Sequence, residues 1–106
     1  MIPEISVQDL SEKQAAGEAF FLLDVREPHE FELCNIDGAT LIPMGQVPQR
    51  LAEIPQDQPI VVQCHHGGRS ARIVQYLQSQ GFKDVSNLVG GIDKWAVQIN
   101  PEMARY

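Results

Sequence analysis

The chain has 106 residues, 43% hydrophobic and 21% charged, with a mean hydropathy of -0.18, which suits one soluble domain with a buried core. A net charge of -6 and a pI near 4.8 argue against general affinity for nucleic acid or anionic membrane, and the 8 basic residues form no run that would track phosphates. No apolar stretch approaches the roughly 20 residues that span a membrane, and Met1-Ile2-Pro3-Glu4 lacks the segments of an export signal, so the expected location is the cytoplasm.

Ser6, with Asp9 three residues later, marks a helix start, with Val7, Leu10 and Ala15 as the buried stripe and Gly17 at the end. Phe20-Phe21-Leu22-Leu23 reads as a strand buried on both faces that stops at Asp24. Arg26-Glu27-Pro28 opens a loop, and Pro28 can begin a short helix running to about Leu33. Asp37-Gly38 marks a turn, Thr40-Leu41-Ile42 a strand closed by Pro43, and residues 46–51 a short helix despite Pro48. Ile60-Val61-Val62-Gln63 is the clearest strand. Ala71, Val74, Tyr76 and Leu77 then recur at helical spacing up to Gly81. Residues 85–89 form a last strand, and Gly90-Gly91 leads into a helix carrying Ile92 and Trp95. Alternating elements of this kind imply a parallel sheet with helices on both faces, in which reactive groups lie outside the carboxyl ends of the strands. Asp24 and Cys64 both fall there.

The stretch Gln63-Cys64-His65-His66-Gly67-Gly68-Arg69-Ser70-Ala71 carries the chemistry. A thiol acts as a nucleophile when it is a thiolate, a form favoured at helix N-termini and beside cations. Cys64 precedes a helix expected to start near Arg69 or Ser70, whose first N–H groups have no intrahelical partners. Gly67 and Gly68 let the loop curl and aim amides at the sulfur. Ser70 can cap the helix or add a hydroxyl, and Arg69 adds a permanent positive charge. The alternative is a buried structural cysteine before a glycine turn. Neither cysteine has a disulfide framework around it, and both are expected as reduced thiols.

Adjacent side chains diverge, so Cys64, His65 and His66 are not expected to share a metal ion, and His29 and Cys34 complete no zinc spacing. Cysteine phosphatases place five residues between thiolate and arginine. Here only four separate Cys64 from Arg69. The smaller ring of amides leaves less room for a tetrahedral phosphate and favours a terminal sulfur.

Three blocks resemble the single-domain rhodaneses, or thiosulfate sulfurtransferases. The first is Leu23-Asp24-Val25-Arg26-Glu27-Pro28-His29-Glu30-Phe31 with Ile36-Asp37-Gly38-Ala39 and Ile42-Pro43. The second is Val62-Gln63-Cys64 through Arg69-Ser70-Ala71, and the third is Leu88-Val89-Gly90-Gly91-Ile92 with Trp95. The resemblance implies one α/β domain over residues 1–106, with a five-stranded parallel central sheet flanked by helices on both faces. It implies that Cys64 takes the outer sulfur of thiosulfate or a similar donor as a persulfide and passes it to cyanide or a thiol, with no cofactor and no metal. Carried over by position, the amides of His65, His66, Gly67, Gly68 and Arg69 form the cradle with Ser70 at the helix start. Arg69 contacts the oxyanion end of the donor. Asp24 and Arg26 support the neighbouring loop, and His65 and His66 tune access at its rim. The implied partners are a thiosulfate or persulfide donor and a thiol acceptor such as thioredoxin, glutathione or a sulfur-carrier protein, the chain itself being a monomer.

Two features stand apart. Many rhodaneses have Gly-His-Ile where this chain has Cys34-Asn35-Ile36. Cys34 reads as a spare buried thiol, with a disulfide to Cys64 as the rival reading. The tail from Asn100-Pro101 to Arg105-Tyr106 resembles that of rhodanese domains fused to sulfur-carrier-activating enzymes. Ile92, Trp95 and Ile99 are expected in the core. The rival functions are a non-catalytic, partner-binding module of the same fold, and a phosphatase or arsenate reductase, which the short loop disfavours.

Overall fold

A computed structural model describes residues 2–106. The strands are β1 (Glu4–Ile5), β2 (Phe21–Asp24), β3 (Ala39–Leu41), β4 (Ile60–Gln63) and β5 (Val85–Leu88). The helices are α1 (Val7–Ala15), α2 (Pro28–Leu33), α3 (Gly68–Ser79) and α4 (Gly91–Gln98). All strand pairs are parallel and the sheet order is β1-β5-β4-β2-β3. The expected five-stranded parallel α/β architecture is therefore present. β1 was not among the strands read from the sequence. Two residues carry no periodicity, and Glu4 and Ile5 become a strand only because the β5 edge, at Asn87 and Leu88, is there to pair with.

Period-two alternation divides the core in two. Leu23, Ile60 and Val62 face one side, where Ile73, Val74 and Leu77 of α3 cover them. Leu22 and Val61 face the other, under Val7 and Leu10 of α1 and Ile92 and Trp95 of α4. Ile99 packs at the margin of that second cluster. Helices thus cover both faces. Among the described residues, no helix is long and apolar enough to cross a membrane.

Three local expectations are corrected. Ser6 does cap α1, its Oγ accepting from the Asp9 N–H at 3.0 Å, but Ala15 is exposed. The stripe of Val7 and Leu10 continues at Gln14, which is half-buried and donates to the Asp37 carbonyl, so Ala15 lies round the helix from it. Residues 46–51 form no helix. Instead there are 3-10 turns at Met44–Gln46 and Leu51–Glu53. Pro48 has no N–H to return to Met44, and the Val47 N–H takes that carbonyl in a tighter turn. The third strand ends at Leu41, although the Ile42 N–H still reaches the Asp24 carbonyl at 2.9 Å.

The register that positions the site pairs Asp24 with Gln63. The ends of β2 and β4 therefore lie side by side. The loops after them, carrying Arg26 and Cys64, leave the sheet at the same edge.

Candidate active site

Cys64 follows the last residue of β4 and is only 1% exposed. Its Sγ receives the Gly67 N–H at 3.1 Å and the Ser70 N–H at 3.4 Å, and lies 3.3 Å from Ser70 Oγ. The curl that allows this depends on Gly67, the cap of α3, whose φ of 116° is closed to most side chains. α3 starts at Gly68, earlier than expected, so Ser70 sits in the first turn and its hydroxyl turns inward rather than capping. The main-chain donors at the sulfur are thus Gly67 and Ser70.

A second glycine closes the loop from below. Gly91 at the start of α4 has a φ of 59°, and a Cβ there would lie 2.4 Å from the His65 carbonyl oxygen and 2.5 Å from that of Cys64. The close approach lets the first α4 amides reach the loop: Ile92 N–H donates to the Cys64 carbonyl at 2.9 Å and Asp93 N–H to the His65 carbonyl at 3.1 Å. One helix start therefore presents amides to the sulfur, and another ties down the backbone carrying it.

Asn87 in β5 was not found from the sequence. It is buried, donates from Nδ2 to the Gly67 carbonyl at 3.2 Å, and accepts the Ser70 hydroxyl at Oδ1. A polar residue inside an apolar strand run was the available signal, since asparagine is depleted there. Asn87 holds both Gly67 and the Ser70 hydroxyl in place around Sγ.

Arg69 reaches α2. Its NH1 and NH2 donate to Glu30 at 2.8 and 2.9 Å. Glu30 also accepts the Glu27 N–H at 2.8 Å and the Tyr106 hydroxyl at 2.7 Å. The bonds from Arg69, helped by those from Glu27 and Tyr106, outweigh burial and hold the Glu30 carboxyl well below the usual carboxylate range. Burial pushes the Tyr106 phenol up to about 12.

Asp24 and Arg26 form the charged pair that the sequence suggested, completely buried. Arg26 NH2 meets Asp24 at 2.6 Å and the Cys34 carbonyl at 2.8 Å, while NH1 donates to the Glu30 carbonyl at 3.2 Å and to the Tyr106 hydroxyl at 3.1 Å. Burial opposes its charge, but Asp24 and Tyr106 more than compensate and raise the Arg26 pKa. Arg26 thereby ties the β2 loop, both ends of α2 and the tail together. Cys34 packs beneath it in the cluster under α1 and α4, whereas Cys64 belongs to the cluster under α3, so the two thiols lie on opposite faces of the sheet.

His65 and His66 do not diverge as adjacent residues usually do. Their ring centroids lie 3.9 Å apart with the planes tilted by 32°, and the Tyr106 ring lies 3.9 Å from His65, nearly parallel to it. His66 is exposed and approaches Asp93 at 3.7 Å, while Asp93 is paired with Arg105 at 3.0 Å. Burial, then the neighbouring His66, lowers the His65 pKa. His65, His66 and Asp93 each offer one ligand atom within 4.8 Å of the others. The third member of this group is Asp93 of α4, not Cys64.

Residues 6–98 match the family model for the rhodanese-like domain. A sulfurtransferase of Allochromatium vinosum is 41% identical over 91% of this chain and 90% of its own length. A probable adenylyltransferase/sulfurtransferase, MoeZ of Mycobacterium tuberculosis, is 38% identical over 96% of this chain; the chain spans only 26% of that larger protein. The crystal structure of a rhodanese-related protein from Thermoplasma volcanium superposes with a TM-score of 0.84 at 31% identity, covering 93% of this chain and 95% of its counterpart. A parallel sheet delivering a cysteine into the amides of the following helix, matched from Ser6 to Gln98, makes this chain a member of the rhodanese-like family.

Proposed function

We propose that the chain is a sulfurtransferase that carries sulfane sulfur on Cys64. The carrying observation is the pair of main-chain N–H groups, from Gly67 and Ser70, directed at a buried Sγ. They stand as donors to a Cys64 thiolate before transfer and lie beside the anionic outer sulfur of the persulfide after it. A thiol this deeply set admits a slender terminal sulfur more readily than a bulky group, which fits thiosulfate or the tip of a persulfide. The family's sulfurtransferase-named relatives point the same way.

In the first step the Cys64 thiolate attacks the outer sulfur of the donor. The donor S–S bond breaks, its electron pair leaves with sulfite or a thiolate, and a Cys64 persulfide forms. In the second step an acceptor thiolate, or cyanide in an assay, attacks that outer sulfur and returns the Cys64 thiolate. No cofactor or metal enters either step. Arg69, beside the loop but paired with Glu30, contributes charge to the donor's anionic end. Asp24 and Arg26 hold the loop framework. Thioredoxin, glutathione or a sulfur-carrier protein in the cytoplasm are the acceptors we favour, the last because a 39% identical relative, YrkF of Bacillus subtilis, is named a putative sulfur carrier protein.

The test is intact-protein mass spectrometry after exposure to thiosulfate and to a small-molecule persulfide. One added sulfur mapped to Cys64, absent in Cys64→Ser, is the expected outcome. No sulfur adduct with either donor overturns the proposal.

A further inference from the structure

We propose that His65, His66 and Asp93 form a binding site for one divalent transition-metal ion of the zinc class, on the rim of the Cys64 loop and separate from sulfur transfer. Consecutive side chains seldom converge. Here the loop brings the two imidazole centroids to 3.9 Å with their planes tilted by 32°, and one ligand atom from each of the three residues lies within 4.8 Å of the others. Imidazole nitrogen and carboxylate oxygen bind zinc at about 2.0–2.2 Å, which puts ligands sharing an ion roughly 3–3.5 Å apart. The remaining closure is about an ångström. His66 has room to supply it, since its side chain is 69% exposed and its Nε2 already stands 3.7 Å from Asp93 Oδ2.

The other two ligands are held on one frame. The Asp93 N–H donates to the His65 carbonyl at 3.1 Å, so the main-chain positions that carry the carboxylate and the first imidazole are joined. Nε2 of His65 is buried and, among the described residues, has no hydrogen-bond partner. Two imidazoles and one carboxylate suit Zn²⁺, Co²⁺, Ni²⁺ or Cu²⁺ rather than Ca²⁺ or Mg²⁺, which prefer oxygen-rich shells. Three protein ligands leave a coordination position open toward solvent.

The same geometry names a competitor. Arg105 holds Asp93 with Nε at 3.0 Å and NH2 at 3.3 Å, and a metal cation on that carboxylate must displace it. The arginine therefore weakens the metal site, and its removal strengthens it.

The experiment is calorimetric titration of Zn²⁺ into the full chain, with Cys64→Ser protein alongside to remove the loop thiol as a rival ligand. One Zn²⁺ per chain is expected in both. His66→Ala and Asp93→Asn each weaken binding at least tenfold, Arg105→Ala tightens it several-fold, and His29→Ala changes nothing. His66 is exposed, so its truncation leaves the fold intact and the comparison decisive. Equal affinity in His66→Ala and the native chain overturns the proposal, as does loss of binding in Cys64→Ser.

Discussion

Glu30 and Arg69, separated by 39 positions, meet in a two-pronged ion pair with N–O distances of 2.8 and 2.9 Å. The pair joins α2 to the first turn of α3, so the helix that supplies amides to Cys64 is anchored to the β2 side of the site. Glu30 is held below its ordinary value of 4.5, so in acid the folded chain binds fewer protons than the unfolded one. The pair's stabilisation is whole above about pH 4.5 and is lost progressively as pH falls below it. Glu30→Gln is expected to cost roughly 2 kcal/mol at neutral pH, between an exposed pair and a buried one, because Arg69 is about one-third exposed. Urea unfolding at pH 7 and pH 3 checks both statements. The gap between native and variant proteins narrows in acid, and a gap independent of pH contradicts the assignment.

Asn87→Ala removes the group that holds both the Gly67 carbonyl and the Ser70 hydroxyl. Persulfide formation from thiosulfate is expected to slow by about tenfold, the scale of one misplaced hydrogen bond of roughly 1.4 kcal/mol, while circular dichroism shows the fold retained. An unchanged rate would mean that the loop keeps its shape without β5.

Glycine substitutions separate backbone strain from collision. Gly91→Ala puts a Cβ into the His65 and Cys64 carbonyls in addition to straining a positive φ, and is expected to cost about 2–4 kcal/mol. Gly17→Ala has a comparable φ of 68° with nothing within 4 Å, and is expected to cost about 1 kcal/mol. Thermal unfolding of the two variants gives the comparison directly; equal losses would show that the contact beneath the loop can yield.

Cys34→Ser tests the two-thiol reading. Cys34 is buried against Arg26 on the face of the sheet opposite Cys64, which leaves it no route to a disulfide with the fold intact. Transfer to thiol acceptors is expected to stay within about twofold of native, a difference below 0.5 kcal/mol. A loss matching that of Cys64→Ser would restore the redox alternative.

Elements with their own periodicity or punctuation were legible in the sequence: β4 as Ile60–Gln63, α2 from Pro28 to Leu33, and α1 capped by Ser6. The Cys64 loop was legible because glycines and a helix start are local signals. What escaped was whatever depends on a distant partner. Glu4–Ile5 is a strand only beside β5, Glu30 gains its role from Arg69, and Asn87 gains its role from a loop twenty residues earlier. The grouping of His65 and His66 with Asp93 was not legible for the same reason. It depends on the backbone contact that brings the start of α4 to the loop, which no spacing rule encodes.

The ties that shape this loop are Gly67 and Ser70 amides to the sulfur, the Asn87 side chain to Gly67 and Ser70, and Ile92 and Asp93 amides to the Cys64 and His65 carbonyls; none uses the side chain of residue 65 or 66. The side chains at 65 and 66 are therefore not part of the scaffold that holds the nucleophile. A library randomised at those two positions alone should yield mostly folded proteins with Cys64 still in its cradle, differing in which donors and acceptors they admit. That makes the pair a natural handle for redirecting selectivity without rebuilding the fold.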